Sequence, residues 1–178
     1  IPILTFYTFS SENWKRPKKE ITFLFKLINY YFNKEIDNLI KNNIKINVIG
    51  NIKILPKKVR FCLIESMRKT KKCNKILVNL AINYGSYNEI IEATKHMKRK
   101  KLAFNIKNLQ KNLYTKNMPY PDILIRTGGK KRLSNFLLWQ IAYTEIYFIN
   151  KLWPDFNIID YKKIINNFKS VKRNFGNV

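Results

Sequence analysis

The chain has 178 residues, 46% hydrophobic and 26% charged, with 35 basic side chains against 11 acidic and a net charge of +24 at pH 7. That length can build one domain with its own core, and no apolar run reaches the about eighteen residues that span a bilayer as a helix. A charge of +24 would ordinarily indicate nucleic acid or an anionic membrane, but Lys, Ile and Asn make up 77 of the 178 residues. This bias is typical of AT-rich coding sequence and accounts for much of the charge without a partner. Only seven arginines remain, and Arg16, Arg126 and Arg132 lie in stretches marked by tryptophan or glycine. Arg offers phosphate a planar fork that Lys cannot. Cys62 and Cys73 lack metal-ligand spacing and have a single His to help them, so reduced, inert thiols and a cytoplasmic setting are expected. The chain opens IPILTFYTF, with neither an initiator Met nor a basic leader, and is expected to begin inside a longer protein.

Taken in order, residues 3–9 read as a buried strand, followed by the turn Ser10-Ser11-Glu12-Asn13-Trp14-Lys15-Arg16-Pro17. Pro17 sits where proline is tolerated, at the start of an amphipathic helix over 18–41. Phe23, Phe25, Tyr30, Tyr31, Phe32 and the aliphatic residues among them cover more than one face of this helix. Periodicity leaves two readings open, a helix buried on two sides and the wall of an apolar cavity. Residues 44–49 alternate as a strand stopping at Gly50, and Pro56 opens a helix to about residue 72. A strand over 76–83 ends at Tyr84-Gly85-Ser86, a helix follows over 87–101, and a weaker one over 106–114. Residues 123–125 and 146–149 read as strands, residues 136–143 as a helix, and residues 158–168 as a final amphipathic helix before a basic tail. Strands alternating with helices predict an α/β fold, with a mostly parallel central sheet flanked by helices in a single domain. Ligands in such folds sit beyond the carboxyl ends of the strands, where the 10–16 and 126–135 loops both fall.

The second loop has the layout of an anion site. Between the 123–125 strand and the apolar 136–143 segment come Arg126, Thr127, Gly128, Gly129, Lys130, Lys131, Arg132, Leu133, Ser134 and Asn135. Glycines let backbone approach a ligand, arginines fork phosphate oxygens, and a following helix would aim its free N–H groups at the same place. Glu145 stands at the mouth of the next strand.

Three stretches, FYTFSSENWKRPKKEI (6–21), NLAINYGSYNEI (79–90) and DILIRTGGKKRLSNFLLWQIAYTEIYFINKLWPDF (122–156), resemble the cis-prenyltransferases, specifically the bacterial undecaprenyl diphosphate synthase family. The resemblance covers essentially the whole chain. It implies a homodimeric, cytoplasmic α/β enzyme, in contact with the membrane through its lipid product. Such an enzyme uses Mg²⁺ to condense isopentenyl diphosphate onto an allylic diphosphate such as farnesyl diphosphate, and a hydrophobic tunnel takes up the growing cis-polyprenyl tail. It implies no nucleic acid. Residue by residue, it assigns Arg126, Arg132, Leu133 and Ser134 to isopentenyl diphosphate, and Ser10, Ser11, Glu12, Trp14 and Arg16 to a substrate-binding loop. Asn13 falls at the position described as proton acceptor and Glu145 at a magnesium ligand. A carboxylate suits hard Mg²⁺. A carboxamide takes no proton near neutral pH, so Asn13 is read as positioning a water, a diphosphate oxygen or the isopentenyl group. The 18–41 helix becomes the tunnel-wall candidate.

Three departures accompany the resemblance. The family's N-terminal strand, with its DGNGRWA-type motif and catalytic Asp, does not appear in residues 1–178. Lys130-Lys131 stands where bacterial members often carry an acidic residue followed by His, and Gly85-Ser86 replaces a commoner Gly-Gly. A non-catalytic accessory subunit of such an enzyme and a basic nucleic-acid-binding domain are the competing readings. The second requires basic and aromatic residues interleaved on one exposed surface, whereas the aromatics here fall largely in apolar runs.

Overall fold

The structure is a computed structural model describing residues 1–173; the end of the basic tail, 174–178, lies outside the described residues. All described strand pairs are parallel, as the alternation of elements requires, but the strands form two sheets and not one. Each sheet belongs to its own compact unit, Ile1–Lys116 and Asn117–Val178.

In the first unit β1 (Ile3–Ser10) and β2 (Ile44–Ile49) flank β3 (Ile76–Tyr84). A polar ladder crosses all three strands. Asn47 Nδ2 donates to Asn79 Oδ1 at 2.8 Å and Asn79 Nδ2 to Thr5 Oγ1 at 3.2 Å, at the row where Thr5, Asn79 and Asn47 are in register. The outer edge of β2 is not bare either, since Ile46 N donates to the buried Thr70 hydroxyl at 3.0 Å.

A bulge ends β1: Tyr7 opposes Ala81 and Phe9 opposes Ile82, so Thr8 is skipped. Residues two apart share a face of a regular strand. The extra residue breaks that rule and turns Phe9 away from the face of Tyr7, leaving it 1% exposed. Phe9 enters a core with Ile21, Phe25, Leu55, Val59, Leu63 and Ile82, each worth about 1.5–3 kcal/mol when fully buried.

Helix α1 (Lys18–Lys41) has the expected bounds. It buries Ile21, Phe25 and Ile36 on one side only, while Phe23, Tyr30 and Tyr31 are more than half exposed. The two-sided burial is therefore not found. Nor are the aromatics all core, because Lys34 lies over the exposed Tyr30 ring at 5.8 Å.

Helix α2 (Lys57–Lys69) and α3 (Ser86–Arg99) are close to expectation, but α4 (Ile106–Gln110) stops short of the expected residue 114. A continuing helix would bond Tyr114 N to Gln110 O. Tyr114 N donates instead to Glu89 Oε1 of α3 at 2.7 Å. Glu89 is 2% exposed, and its other oxygen accepts from Tyr84 OH at 2.6 Å.

The second unit pairs β4 (Ile123–Arg126) with β5 (Glu145–Phe148) and ends in α5 (Ile158–Ser170), boxed at its start by Asn157 and Asp160. Residues 136–143 form bends and turns, not the expected helix. Ser134, Asn135 and Leu137 adopt φ of 49°, 60° and 48°, and left-handed residues cannot propagate a right-handed helix.

Gly50, after β2, has φ +120°, and a Cβ there would lie 2.2 Å from the Ile82 carbonyl oxygen. Gly50→Ala should cost about 2–4 kcal/mol, read as a fall in Tm larger than that of an alanine at the open Gly128.

Candidate active site

Two clusters of the residues singled out from sequence lie at the carboxyl ends of strands, one in each unit. In the first, Ser11–Lys15 winds into a 3₁₀ turn directly after β1. Asn13 Oδ1 accepts from Ser10 N at 2.9 Å, closing the turn. Trp14 packs edge-on against Phe9 and Phe25, with ring centroids 5.5 and 5.6 Å away, so the turn is fastened to the core. The Trp14 indole N–H donates to Asn83 Oδ1 at 2.8 Å. Ser11 Oγ donates to Glu12 at 3.1 Å, and Arg16 is ion-paired to Glu20 at 2.7 Å, with both partners largely exposed. Such a surface pair holds the guanidinium weakly and leaves it recruitable by a phosphate.

Beneath this turn Tyr7 OH donates to the Tyr84 carbonyl at 3.2 Å. Burial first, then the negative charge of Glu12, push the Tyr7 phenol up to about 12. Burial, followed by Glu89, also raises Tyr114.

In the second cluster, Arg126 is the last residue of β4, and its Nη1 donates to Ser134 Oγ at 3.1 Å. Two residues eight apart are thereby brought onto one spot. Lys130, Lys131 and Arg132 are exposed on the intervening loop, and Leu133 is half-buried. The backbone does not make the expected anion cradle. Gly128 N donates to Lys151 O at 2.8 Å and Gly129 N to Ile149 O at 3.0 Å, so both N–H groups are spent within the protein. The glycines are needed for their φ of 85° and 69°, and no helix follows to supply further N–H groups.

Glu145 does not join this cluster. It pairs with Ile123 at the amino end of the ladder, whereas Arg126 pairs with Phe148 at the carboxyl end. Three strand residues at about 3.3 Å each put roughly 10 Å between the two positions. Among the described residues no group of three or more His, Cys, Asp or Glu gathers as a metal site. An all-protein cage is thus not formed by them; a single carboxylate fits only an ion that diphosphate oxygens also hold.

Asn83 and Glu89 were not singled out from sequence. The available signal was an Asn closing an apolar strand before Tyr-Gly, and an acid one helical turn beyond that glycine.

Residues 1–176 match the sequence profile of a family described as "Putative undecaprenyl diphosphate synthase", across both compact units. The isoprenyl transferase of Rickettsia bellii (strain RML369-C) is 47% identical over 177 residues, covering 99% of this chain and 78% of its own. That of Oceanobacillus iheyensis is 40% identical over 185 residues, covering 100% and 73%. A crystal structure described as "a probable undecaprenyl diphosphate synthase" from Campylobacter jejuni superposes with a TM-score of 0.91 at 44% identity, over 99% of this chain and 84% of that one. Lavandulyl diphosphate synthase from Lavandula x intermedia, in complex with dimethylallyl diphosphate, gives 0.93 at 28% identity, over 99% and 79%. The α/β fold is that of a prenyltransferase. The chain belongs to the undecaprenyl diphosphate synthase family, the cis-prenyltransferases. Among the described residues no helix is long and apolar enough to cross a membrane.

The raised phenol of Tyr7 sets a pH test. A phenol held neutral in the fold adds stability that is complete below the unfolded value of 10.0 and is lost as pH rises through about 12. Tyr7→Phe should delete one late tyrosinate from the ultraviolet titration and flatten the alkaline fall in Tm over that window. Loss of one tyrosinate from the early phase, with the late phase intact, would mean that Tyr7 ionises with the exposed tyrosines.

Proposed function

We propose that the chain condenses isopentenyl diphosphate with an allylic diphosphate such as farnesyl diphosphate, and that repeated condensation makes a cis-polyprenyl diphosphate of the undecaprenyl carrier type. The carrying observation is the Arg126–Ser134 pair at 3.1 Å, in a loop with three further cations. Each condensation breaks the allylic carbon–oxygen bond, releases diphosphate, forms a carbon–carbon bond and removes one proton from the isopentenyl unit. Charge on both diphosphates must be neutralised, and arginines and lysines do so here. Arg126, Arg132 and Ser134 grip isopentenyl diphosphate, with Leu133 backing the loop. Ser10, Ser11, Glu12, Trp14 and Arg16 form the second substrate loop. Asn13, with its oxygen committed to Ser10 N, has its NH₂ to offer a diphosphate oxygen or water and is a positioning group, not the proton acceptor.

Magnesium is the ion proposed, and Glu145 the carboxylate for it. When bound, it neutralises diphosphate charge. The exposed apolar side of α1, with Phe23, Tyr30 and Tyr31, is the wall offered to the growing tail. Residues 1–178 belong to a cis-prenyltransferase domain of a homodimer, at the cytoplasmic side of the membrane that receives the lipid.

Arg126→Lys keeps the charge and loses the fork. Isopentenyl diphosphate binding should weaken by about 1.5–3 kcal/mol, measured calorimetrically; wild-type affinity would take Arg126 out of the site. Glu145→Gln should leave the melting curve in place and raise the magnesium concentration needed for half-maximal incorporation of labelled isopentenyl diphosphate. Wild-type magnesium dependence would return Glu145 to a purely structural place in β5.

A further inference from the structure

We propose that Asn83 is a positioning residue of the reaction, the latch that fixes the 10–16 turn by holding Trp14. The proposal rests on the turn being a substrate loop. Three chain segments meet at Asn83. Its Oδ1 accepts the Trp14 indole N–H at 2.8 Å, its Nδ2 donates to the Asn51 carbonyl at 2.6 Å, and its own carbonyl accepts from Asn51 N at 3.2 Å. The side chain is 7% exposed, so both ends are satisfied out of water, where losing a partner is expensive.

No other side chain of this size does the same. The backbone sits at φ +49°, which Asn adopts more readily than most L-residues. Asp would bring a carboxylate against the Asn51 carbonyl, and Gly would keep the backbone while losing both side-chain bonds. The neighbouring segment is equally constrained, since Gly50 leaves no room for a Cβ between itself and β3. The acceptor for Trp14 is therefore held from two directions. Trp14 in turn lies between Asn13 and the Lys15-Arg16 pair, so a free indole would let the turn pivot on its ring contacts with Phe9 and Phe25. Asn83 touches no substrate in this scheme; it acts by keeping the turn in one orientation before substrate arrives, which is worth affinity and rate.

The test uses the full chain with Asn83→Gly, Trp14→Phe and the double variant. Trp14→Phe keeps the ring in the aromatic group and removes only the N–H. Each single variant should raise KM for the allylic diphosphate or lower kcat about 3- to 10-fold, and the double variant should be no worse than either single one. Hydrogen exchange of the Trp14 indole N–H, followed by NMR without substrate, should quicken in Asn83→Gly. Equal losses that multiply in the double variant would overturn the latch, as would a Trp14→Phe enzyme with wild-type kinetics beside an Asn83→Gly enzyme that is merely less stable. A wild-type chain that binds neither isopentenyl nor allylic diphosphate would remove the substrate-loop assignment and this proposal with it. Diphosphate binding unaffected by the variants, with indole exchange quickened, would remove the positioning role alone.

Discussion

Residues 1–116 depend on β3 being bonded along both edges. β1 and β2 are not paired with each other; each is in register only with β3. Parallel ladders tolerate slippage poorly where a face is buried, because a one-residue shift turns every side chain over. The Thr5–Asn79–Asn47 ladder adds a polar constraint to that apolar one. A slip of either outer strand would leave the amide of Asn79, 1% exposed, short of a partner. Two outer strands held by one central strand also deliver their carboxyl ends to one place, and it is there that Asn83, Asn51 and Trp14 meet.

The skipped Thr8 connects that framework to the 10–16 turn. Without it Phe9 would face with Tyr7, and one of the two rings that Trp14 packs against would be missing from the core. Aromatic pairs of this kind add about 0.5–1.5 kcal/mol each beyond burial, enough to seat a short turn but too little to fix its orientation, since edge-on rings can rotate about their contact. A directional bond is what the indole N–H supplies. The turn is attached by packing and oriented by hydrogen bonding.

Much of this was legible in the sequence, because apolar periodicity is strong where elements are long. α1 was expected at its observed bounds, and β1, β2, β3 and α3 within one or two residues, the ordinary scatter of element ends. The misses share a cause. Leu137 is apolar in a run of apolar residues, yet its backbone is left-handed, and no local pattern announces that. Tyr114 leaves the helical path for a carboxylate 25 residues earlier in sequence. Gly128 and Gly129 suggested an anion cradle, but their N–H groups bond to carbonyls that only the β4–β5 pairing brings near. Arg126 and Ser134 could be named from sequence; their meeting at 3.1 Å could not.

Membership of the family does not by itself choose the product. A synthase of lavandulyl diphosphate matches this backbone with a TM-score of 0.93 at 28% identity, beside 0.91 for an undecaprenyl-type relative at 44%. Backbone geometry therefore separates the two chemistries less well than sequence does, and discrimination falls to side chains. The diphosphate-facing groups are poor candidates for it, since every substrate of the class presents the same phosphate oxygens. The tail is what differs, and apolar contact discriminates by size at about 1–3 kcal/mol per methylene or less, so selecting a long product requires many contacts spread along a surface. A 24-residue helix with exposed Phe23, Tyr30 and Tyr31 on one side and a packed core on the other offers such a surface on a rigid support. In this chain the candidate diphosphate-gripping groups sit on loops at strand ends, and the exposed apolar surface that could follow a tail sits on α1.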